Sequence, residues 1–268
     1  MDRHAAPFGH LLRHWRLQRR WTQLALAAEA EVSARHLSWL ETGKAEPSRA
    51  MVLRLAERLD VPLRERNALL AAAGFAPLYS LHALSDPALA TARAALQRLL
   101  DAHEPWPALA VDRHWHLVAS NRMVPLLMAG VAPELLQPPM NVLRVTLHPQ
   151  GLGPMVRNLR AWRDHVLMRL ERQHAATGDA ALLRLRDELA LLPMPASATH
   201  GELLAGPPDM AVPLTLDSPL GTLNFITTIT VFGAPHDVTL AELAVETLLP
   251  ADAATAATLR ALYSSLPA

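Results

Sequence analysis

The capping residues of the segment 22–43 predict two short helices with a tight turn between them. Thr22 is placed to cap a helix over 23–28, and Ser33 is placed to cap a second helix over 34–41. Gly43 follows the second helix at the position where a left-handed residue ends it. This spacing is typical of a helix-turn-helix unit.

Further short helices are predicted on both sides of this unit. An amphipathic pattern with a basic face runs over 8–20, and Pro47 and Pro62 each open another helix, the last of which ends at Gly74. Five short helices predict an all-α domain.

The first 80 residues hold 12 Lys and Arg against 8 Asp and Glu, so they carry a net charge of +4, while the rest of the chain carries −4. This asymmetry indicates two domains with different partners, but it is also within ordinary fluctuation.

The second helix of a helix-turn-helix unit enters the major groove and presents its first residues to the bases. Arg35 lies there and has the fork geometry that pairs with guanine. Gln23 begins the preceding helix, where a phosphate contact is expected, and Lys44 and Arg49 follow in a loop suited to the DNA backbone. The candidate DNA-binding residues are Gln23, Ser33, Ala34, Arg35, His36, Ser38, Lys44 and Arg49.

The motifs of this segment are more specific than their spacing. TQ-x-x-LA at 22–27, VS-x-x-x-LS-x-x-E-x-G at 32–43 and PS at 47–48 closely resemble the repressor-type helix-turn-helix family, the XRE or Cro/C1-like class. That family usually has glycine in the turn, where this chain has Glu31. A left-handed residue other than glycine costs roughly 1 kcal/mol, which a domain of this size tolerates.

The pattern changes after residue 106 to a mixture of strands and helices. A strand–turn–strand is predicted over 107–120, a short helix over 121–129, and two longer amphipathic helices over 155–170 and 182–192. A loop is expected over 193–209, followed by strands over 212–216 and 221–232. Thr239 is predicted to cap a helix that runs through Thr247, and one more short helix follows Pro250. The back half is therefore α+β.

Four motifs of the back half resemble the ligand-binding domain of MmyB-like transcription regulators. They are PALAVDR-x-W at 107–115, NVLR at 141–144, LHP-x-GL at 147–152 and TVFG-x-P-x-DVT at 230–239. The resemblance implies a PAS-like α+β domain with a small antiparallel sheet. It also implies a dimeric DNA-binding regulator that senses a small molecule, for which a fatty acid is the expected ligand.

A PAS-like domain holds its ligand between the sheet and the short helices, and this placement selects the candidate pocket residues. Arg144 and Arg157 are the expected partners of a ligand carboxylate. Taken singly, residues like the apolar candidates are more often ordinary core, and residues like Asn141 and Arg144 are more often structural hydrogen-bonding groups. The candidates are Met123, Leu127, Asn141, Arg144, His148, Met155, Arg157, Leu159, Trp162, Phe225, Thr228 and Thr230.

Several other kinds of site are not expected. The chain has no cysteine, which excludes disulfides, thiolate metal sites and cysteine nucleophiles. His114 and His116 would share one strand face, but no third ligand is evident nearby, so no metal site is predicted. No nucleophile–base motif is present, so no enzyme is predicted. No apolar run reaches the length of a transmembrane helix and no signal peptide is evident, so a cytoplasmic protein without cofactor is expected.

The predicted organisation has a helix-turn-helix domain over 1–76, a linker and connecting helix over 77–106, and a PAS-like domain over 107–268. The predicted function is a transcription repressor that binds double-stranded DNA as a homodimer and responds to a small apolar ligand. The alternative is a regulator whose back domain serves only for dimerisation or a protein contact. A closed apolar cavity of a few hundred Å³ would favour the sensor, and a solid core with an exposed apolar patch would favour the alternative.

Overall fold

The computed structural model describes residues 7–194 and 212–267. Contacts divide the chain into two compact units, each with its own hydrophobic core. The first unit comprises Met1–His82 together with Ala234–Ala241, and the second comprises Ala83–Gly233 together with Glu242–Ala268. The chain therefore passes from one unit to the other three times. The predicted loop over 193–209 lies outside the described residues from residue 195 onward.

Five short helices build the first unit, as the capping pattern predicts. Their apolar stripes meet in one core that includes Phe8, Leu12, Trp15, Leu26, Leu37, Leu40, Leu55 and Leu69. The helices are α1 Pro7–Gln18, α2 Gln23–Glu29, α3 Ala34–Glu41, α4 Arg49–Arg58 and α5 Leu63–Ala72.

Side-chain caps fix where these helices begin. Thr22 accepts a hydrogen bond from the backbone N–H of Ala25 at 3.0 Å, and Ser33 accepts one from that of His36 at 3.1 Å. Both caps are confirmed, and each satisfies one of the donors that the first turn of a helix leaves without a partner. The α2–α3 pair therefore has the predicted bounds to within one residue.

The turn between α2 and α3 contains the left-handed residue that the sequence predicts. Glu31 has φ +54°, and the backbone N–H of Val32 reaches back to the carbonyl of Ala27 at 2.9 Å. Glycine adopts this backbone region without strain, whereas a side chain with a Cβ does not. Glu31 thus carries a strain that its replacement would release.

Replacing Glu31 by glycine should raise the free energy of unfolding by about 1 kcal/mol, because the strain disappears. Urea denaturation of the full chain, followed by circular dichroism, measures the change. Glu29→Gly is the matched control, since Glu29 is exposed and helical, and it should lower stability by about 0.5–1 kcal/mol. Equal destabilisation by both substitutions would contradict this account of the turn.

A short segment far along the sequence completes the first unit. Asp237 accepts a hydrogen bond from the backbone N–H of His82 at 3.3 Å, and its carboxylate lies 2.8 Å from Nδ1 of the same histidine. Thr239 donates its hydroxyl to the carbonyl of His82 at 2.6 Å, and Val238 donates its N–H to the carbonyl of Ser80 at 2.8 Å. These contacts include α11, Val238–Ala241, and they explain why part of the motif TVFG-x-P-x-DVT belongs to the helical unit.

A five-stranded antiparallel sheet is the centre of the second unit. The strands stand in the order β2-β1-β5-β4-β3. Their bounds are β1 Ala108–Val111, β2 Leu117–Ser120, β3 Leu214–Ser218, β4 Gly221–Val231 and β5 Ala244–Pro250. The two hairpins agree with the predicted strand–turn–strand patterns, and the predicted α+β class is confirmed.

Helices of the second unit pack on this sheet and on one another. The two long helices predicted from the spacing of their apolar residues are confirmed as α9, Leu159–Thr177, and α10, Ala180–Ala190; they pack against each other and are connected at Gly178. The helices are α6 Ala90–Ala102, α7 Met123–Leu127, α8 Val142–Leu147, α9 Leu159–Thr177, α10 Ala180–Ala190 and α12 Ala253–Ser264.

The predicted helix through Thr247 is wrong. Helix α11 ends at Ala241, and the chain then enters β5 between β1 and β4. Residues 245–248 are all buried, since a central strand is covered on both faces. Such a strand shows no alternation of apolar and polar residues, which removes the signal that distinguishes it from a helix.

Candidate DNA-binding face and ligand cavity

The first turn of α3 presents the residues predicted to meet DNA bases. Arg35 is exposed, and its guanidinium lies over the ring of Trp39, 4.4 Å from the ring centroid. This cation–π contact restricts the arginine to one side of the helix. Ala34, His36 and Ser38 are half-buried beside it, and the Ser33 hydroxyl is engaged as the cap.

Two exposed cations follow α3, Lys44 in the loop and Arg49 at the start of α4. Gly43 has φ +69°, and the N–H of Lys44 donates to the carbonyl of Trp39 at 2.8 Å, which fixes the loop against the end of the helix. Lys44 and Arg49 are both exposed. Arg35, Lys44 and Arg49 are thus all exposed within the short stretch of sequence that runs from α3 to the start of α4.

Gln23 has a partner that the sequence does not reveal. Its side-chain amide donates to Oε2 of Glu41 at 2.7 Å. Glu41 also forms a bidentate pair with Arg16, at 2.6 Å from Nε and 2.9 Å from Nη2, and both side chains are buried. The side-chain hydrogen bond and the charge of Glu41 raise the pKa of Arg16 despite burial. This network fixes the end of α3 to α1 and the start of α2.

In the second unit, a small apolar cavity of about 60 Å³ lies between the sheet and α7, α8 and α9. Leu127 and Trp162, two of the predicted pocket residues, line it. Its wall consists of Pro107, Leu109, Val124, Leu127, Met128, Val142, Leu143, Val145, Thr146, Leu152, Trp162, Leu214, Leu216, Thr227, Glu246 and Leu248. At this volume it is smaller than the few hundred Å³ that sensors of small molecules usually provide.

A second apolar space of about 220 Å³ adjoins the first. Leu127 and Leu216 line both spaces, and Met155 lines the second. Leu127 belongs to the five-residue helix α7 and is only half-buried. It and Leu216 are therefore the side chains that the two spaces share.

The structure places the other predicted pocket residues elsewhere. Met123, Leu159 and Phe225 are buried in the core, while Thr228 and Thr230 are exposed on β4. Asn141 caps α8, and its amide donates to the carbonyl of His114 at 2.8 Å. The His148 ring accepts from the N–H of Gln150 at 3.1 Å. None of these residues lines the 60 Å³ cavity.

Both predicted carboxylate anchors form ion pairs at the surface. Arg144 pairs with Glu188 at 2.6 Å, and Arg157 pairs with Asp217 at 2.7 Å. Each arginine lowers the pKa of its partner carboxylate, chiefly through the side-chain hydrogen bond. Neither arginine is among the residues that line the cavity.

A buried ion pair at the cavity is the polar feature that sequence reasoning missed. Glu246 on β5 lines the cavity, and its Oε1 accepts from Nη1 of Arg169 on α9 at 3.1 Å. The exposed fractions of the two side chains are 9% and 13%. The residues are 77 positions apart in sequence, so only the sheet order brings them together.

Asp112 lies beside the two histidines of the β1–β2 hairpin, so three side chains of the types that bind metal ions lie close together. Ligand atoms of Asp112, His114 and His116 lie within 4.8 Å of one another. Each already has a hydrogen-bond partner, since His116 Nδ1 lies 3.0 Å from Asp112 and His114 Nε2 lies 2.8 Å from Asp179. Burial opposes the ionisation of Asp179, but hydrogen bonds from Ala181 and His114 outweigh it and lower its pKa. These hydrogen bonds in and around the hairpin turn therefore explain why the three side chains lie together.

None of the described helices, the 19-residue α9 included, has both the length and the apolar character needed to span a bilayer.

Comparison with known proteins identifies both units. A helix-turn-helix domain model matches residues 7–69. The model of the MmyB-like transcription regulator ligand binding domain matches residues 92–262, which is more than half of the chain. No curated protein matches the chain.

Proposed function

The chain belongs to the family of the MmyB-like transcription regulator ligand binding domain and is a DNA-binding transcription regulator; from this premise we propose that it is a homodimeric repressor controlled by a small apolar ligand. We place it in the cytoplasm, with access to its DNA, and assign it no catalytic activity. The two apolar spaces that share Leu127 and Leu216 are the observation that carries the proposal. A fatty acid, the ligand that the resemblance implies, is the first molecule to test.

The DNA-binding face supports the other half of the proposal. Arg35 is exposed at the start of α3, and Lys44 and Arg49, which follow it closely in sequence, are exposed as well. In a dimer, two such helices read half-sites one helical turn apart. A ligand that binds one arrangement of the dimer more tightly than another shifts the population and therefore the affinity for DNA.

Filling the space at Leu127 should separate sensing from DNA binding. In the wild type we expect medium-chain fatty acids to raise the melting temperature and to change the affinity for DNA. In Leu127→Trp the same fatty acids should change neither quantity, because tryptophan occupies the space. Its affinity for DNA without ligand should stay at the wild-type value. The control is Leu191→Trp, since Leu191 is 85% exposed, and this variant should respond like the wild type.

The alternative, a domain that serves only for dimerisation or a protein contact, is favoured by the small volume of the cavity as it stands. It predicts that no acyl compound changes the melting temperature or DNA binding of the wild type. Native mass spectrometry of the purified protein adds the mass of the dimer and of any retained ligand. A dimer without ligand response would replace the sensor by this alternative.

A further inference from the structure

The charge of the buried cation at the cavity is already offset. Arg169 donates to Glu246, and its guanidinium also stacks over the ring of Trp115, 4.1 Å from the ring centroid. His165, one turn earlier on α9, has its pKa lowered by burial first and then by the charges of Arg169 and Arg172. The imidazole is therefore harder to protonate than that of a solvent-exposed histidine. Glu246 lines the cavity, whereas Arg169 pairs with it from α9 and is not among the lining residues. Nη2 of Arg169 is buried without a hydrogen-bond partner among the described residues, but the charge of the guanidinium is balanced by Glu246.

Glu246 faces the cavity more directly than its partner. It is one of the lining residues, and its neighbours across the sheet are Leu109 on β1 and Ile229 on β4. An ionised carboxylate on a ligand would therefore approach a carboxylate in apolar surroundings. Like charges repel strongly there because the local dielectric constant is low.

Trp162 adds a hydrogen-bond donor without an acceptor. Its indole Nε1 is buried and has no hydrogen-bond partner within 7–194 or 212–267, although the residue lines the cavity. Its ring stacks with that of His165, with 5.4 Å between the centroids, which holds the indole in place. Buried polar groups normally have partners, so an acceptor on a ligand would supply what the protein lacks.

We infer that the cavity selects an apolar chain that ends in an uncharged hydrogen-bonding group, such as an amide or an alcohol, over the same chain with an ionised carboxylate. The oxygen of such a group accepts from the indole of Trp162, and its N–H or O–H donates to Glu246. This inference rests on the proposed function and narrows its ligand class.

The test compares three ligands that share one chain and differ at the end group. Decanamide, decanol and decanoate are titrated into the full-length protein near neutral pH, with melting temperature and calorimetry as readouts. We expect decanamide and decanol to bind about tenfold or more tightly than decanoate, the factor that corresponds to about 1.4 kcal/mol.

Two variants assign the preference to named groups. Glu246→Gln removes the negative charge and leaves Arg169 unpaired, so decanoate should become the tightest ligand. Trp162→Phe removes the donor while keeping an aromatic ring, and it should weaken decanamide without strengthening decanoate. Glu171→Gln is the control for the first variant, because Glu171 pairs with Arg186 at the surface, and it should keep the wild-type order.

The outcomes separate this inference from the proposed function. Binding of decanoate at least as tight as that of decanamide to the wild type overturns the inference and leaves the sensor intact. An unchanged order in Glu246→Gln overturns the role of Glu246. Absence of binding by all three ligands removes the sensor itself, and the inference with it.

Discussion

Replacing Glu41 by alanine should lower the free energy of unfolding by about 3–5 kcal/mol, because Arg16 would remain buried without its partner. The pair is bidentate, and both side chains are almost fully buried. Gln23 would lose its acceptor as well. Urea denaturation of the full chain, monitored by circular dichroism, gives the change. Because α3 ends at Glu41, DNA binding should fall together with the folded fraction.

The control for this substitution is Glu57→Ala. Glu57 is an exposed glutamate of α4, so its loss should change stability by no more than about 0.5 kcal/mol. Glu41→Gln keeps acceptor capacity and removes the charge, and it should lie between the wild type and Glu41→Ala. A loss below about 1 kcal/mol in Glu41→Ala would show that the buried guanidinium finds other partners.

Replacing Arg35 by alanine should weaken binding to the preferred DNA sequence by about 1–3 kcal/mol and relax the preference at one base position. The guanidinium is exposed over Trp39 and so is available for a guanine. Selection from a random duplex library identifies the preferred sequence, and fluorescence titration on it and on its single-base variants measures both effects. Since Arg35 is exposed, the melting temperature should stay unchanged.

Lys44→Ala is the matched control for Arg35→Ala. As a backbone contact, Lys44 should contribute equally on every sequence, and its loss should reduce the salt dependence by about one charge. An unchanged base preference in Arg35→Ala would contradict the base contact assigned to Arg35. A sequence-selective loss of DNA affinity in Lys44→Ala would show that Lys44 contacts bases instead of the backbone.

Local chemistry made the first unit predictable from sequence. Thr22 and Ser33 act on backbone groups three residues away, and Glu31 takes the φ that its turn requires. The pair of Arg16 and Glu41 was missed although both charges lie on the buried stripes of their helices, next to Trp15 and Leu40. Opposite charges on two buried stripes are a signal that could have found it.

The candidate ligand site was harder to predict from sequence, because its polar groups come together only through the order of the strands in the sheet. Arg144 and Arg157 were chosen as anchors from their neighbours in sequence, yet each has a surface carboxylate as its partner. The pairing of Arg169 with Glu246 depends on the central position of β5, and that strand was predicted as a helix. An error in one strand therefore hid the groups that contact the cavity.

Translation order separates the two pieces of the first unit in time. Asp237 is synthesised 155 residues after His82, and it accepts a hydrogen bond from the backbone N–H of that histidine. At about 5–20 residues per second, the five helices emerge on the order of 10 s before Ala234–Ala241. A nascent chain that stops before Ala234 lacks the contacts of Asp237, Val238 and Thr239. Only molecules in which β4 has been made therefore carry the complete first unit.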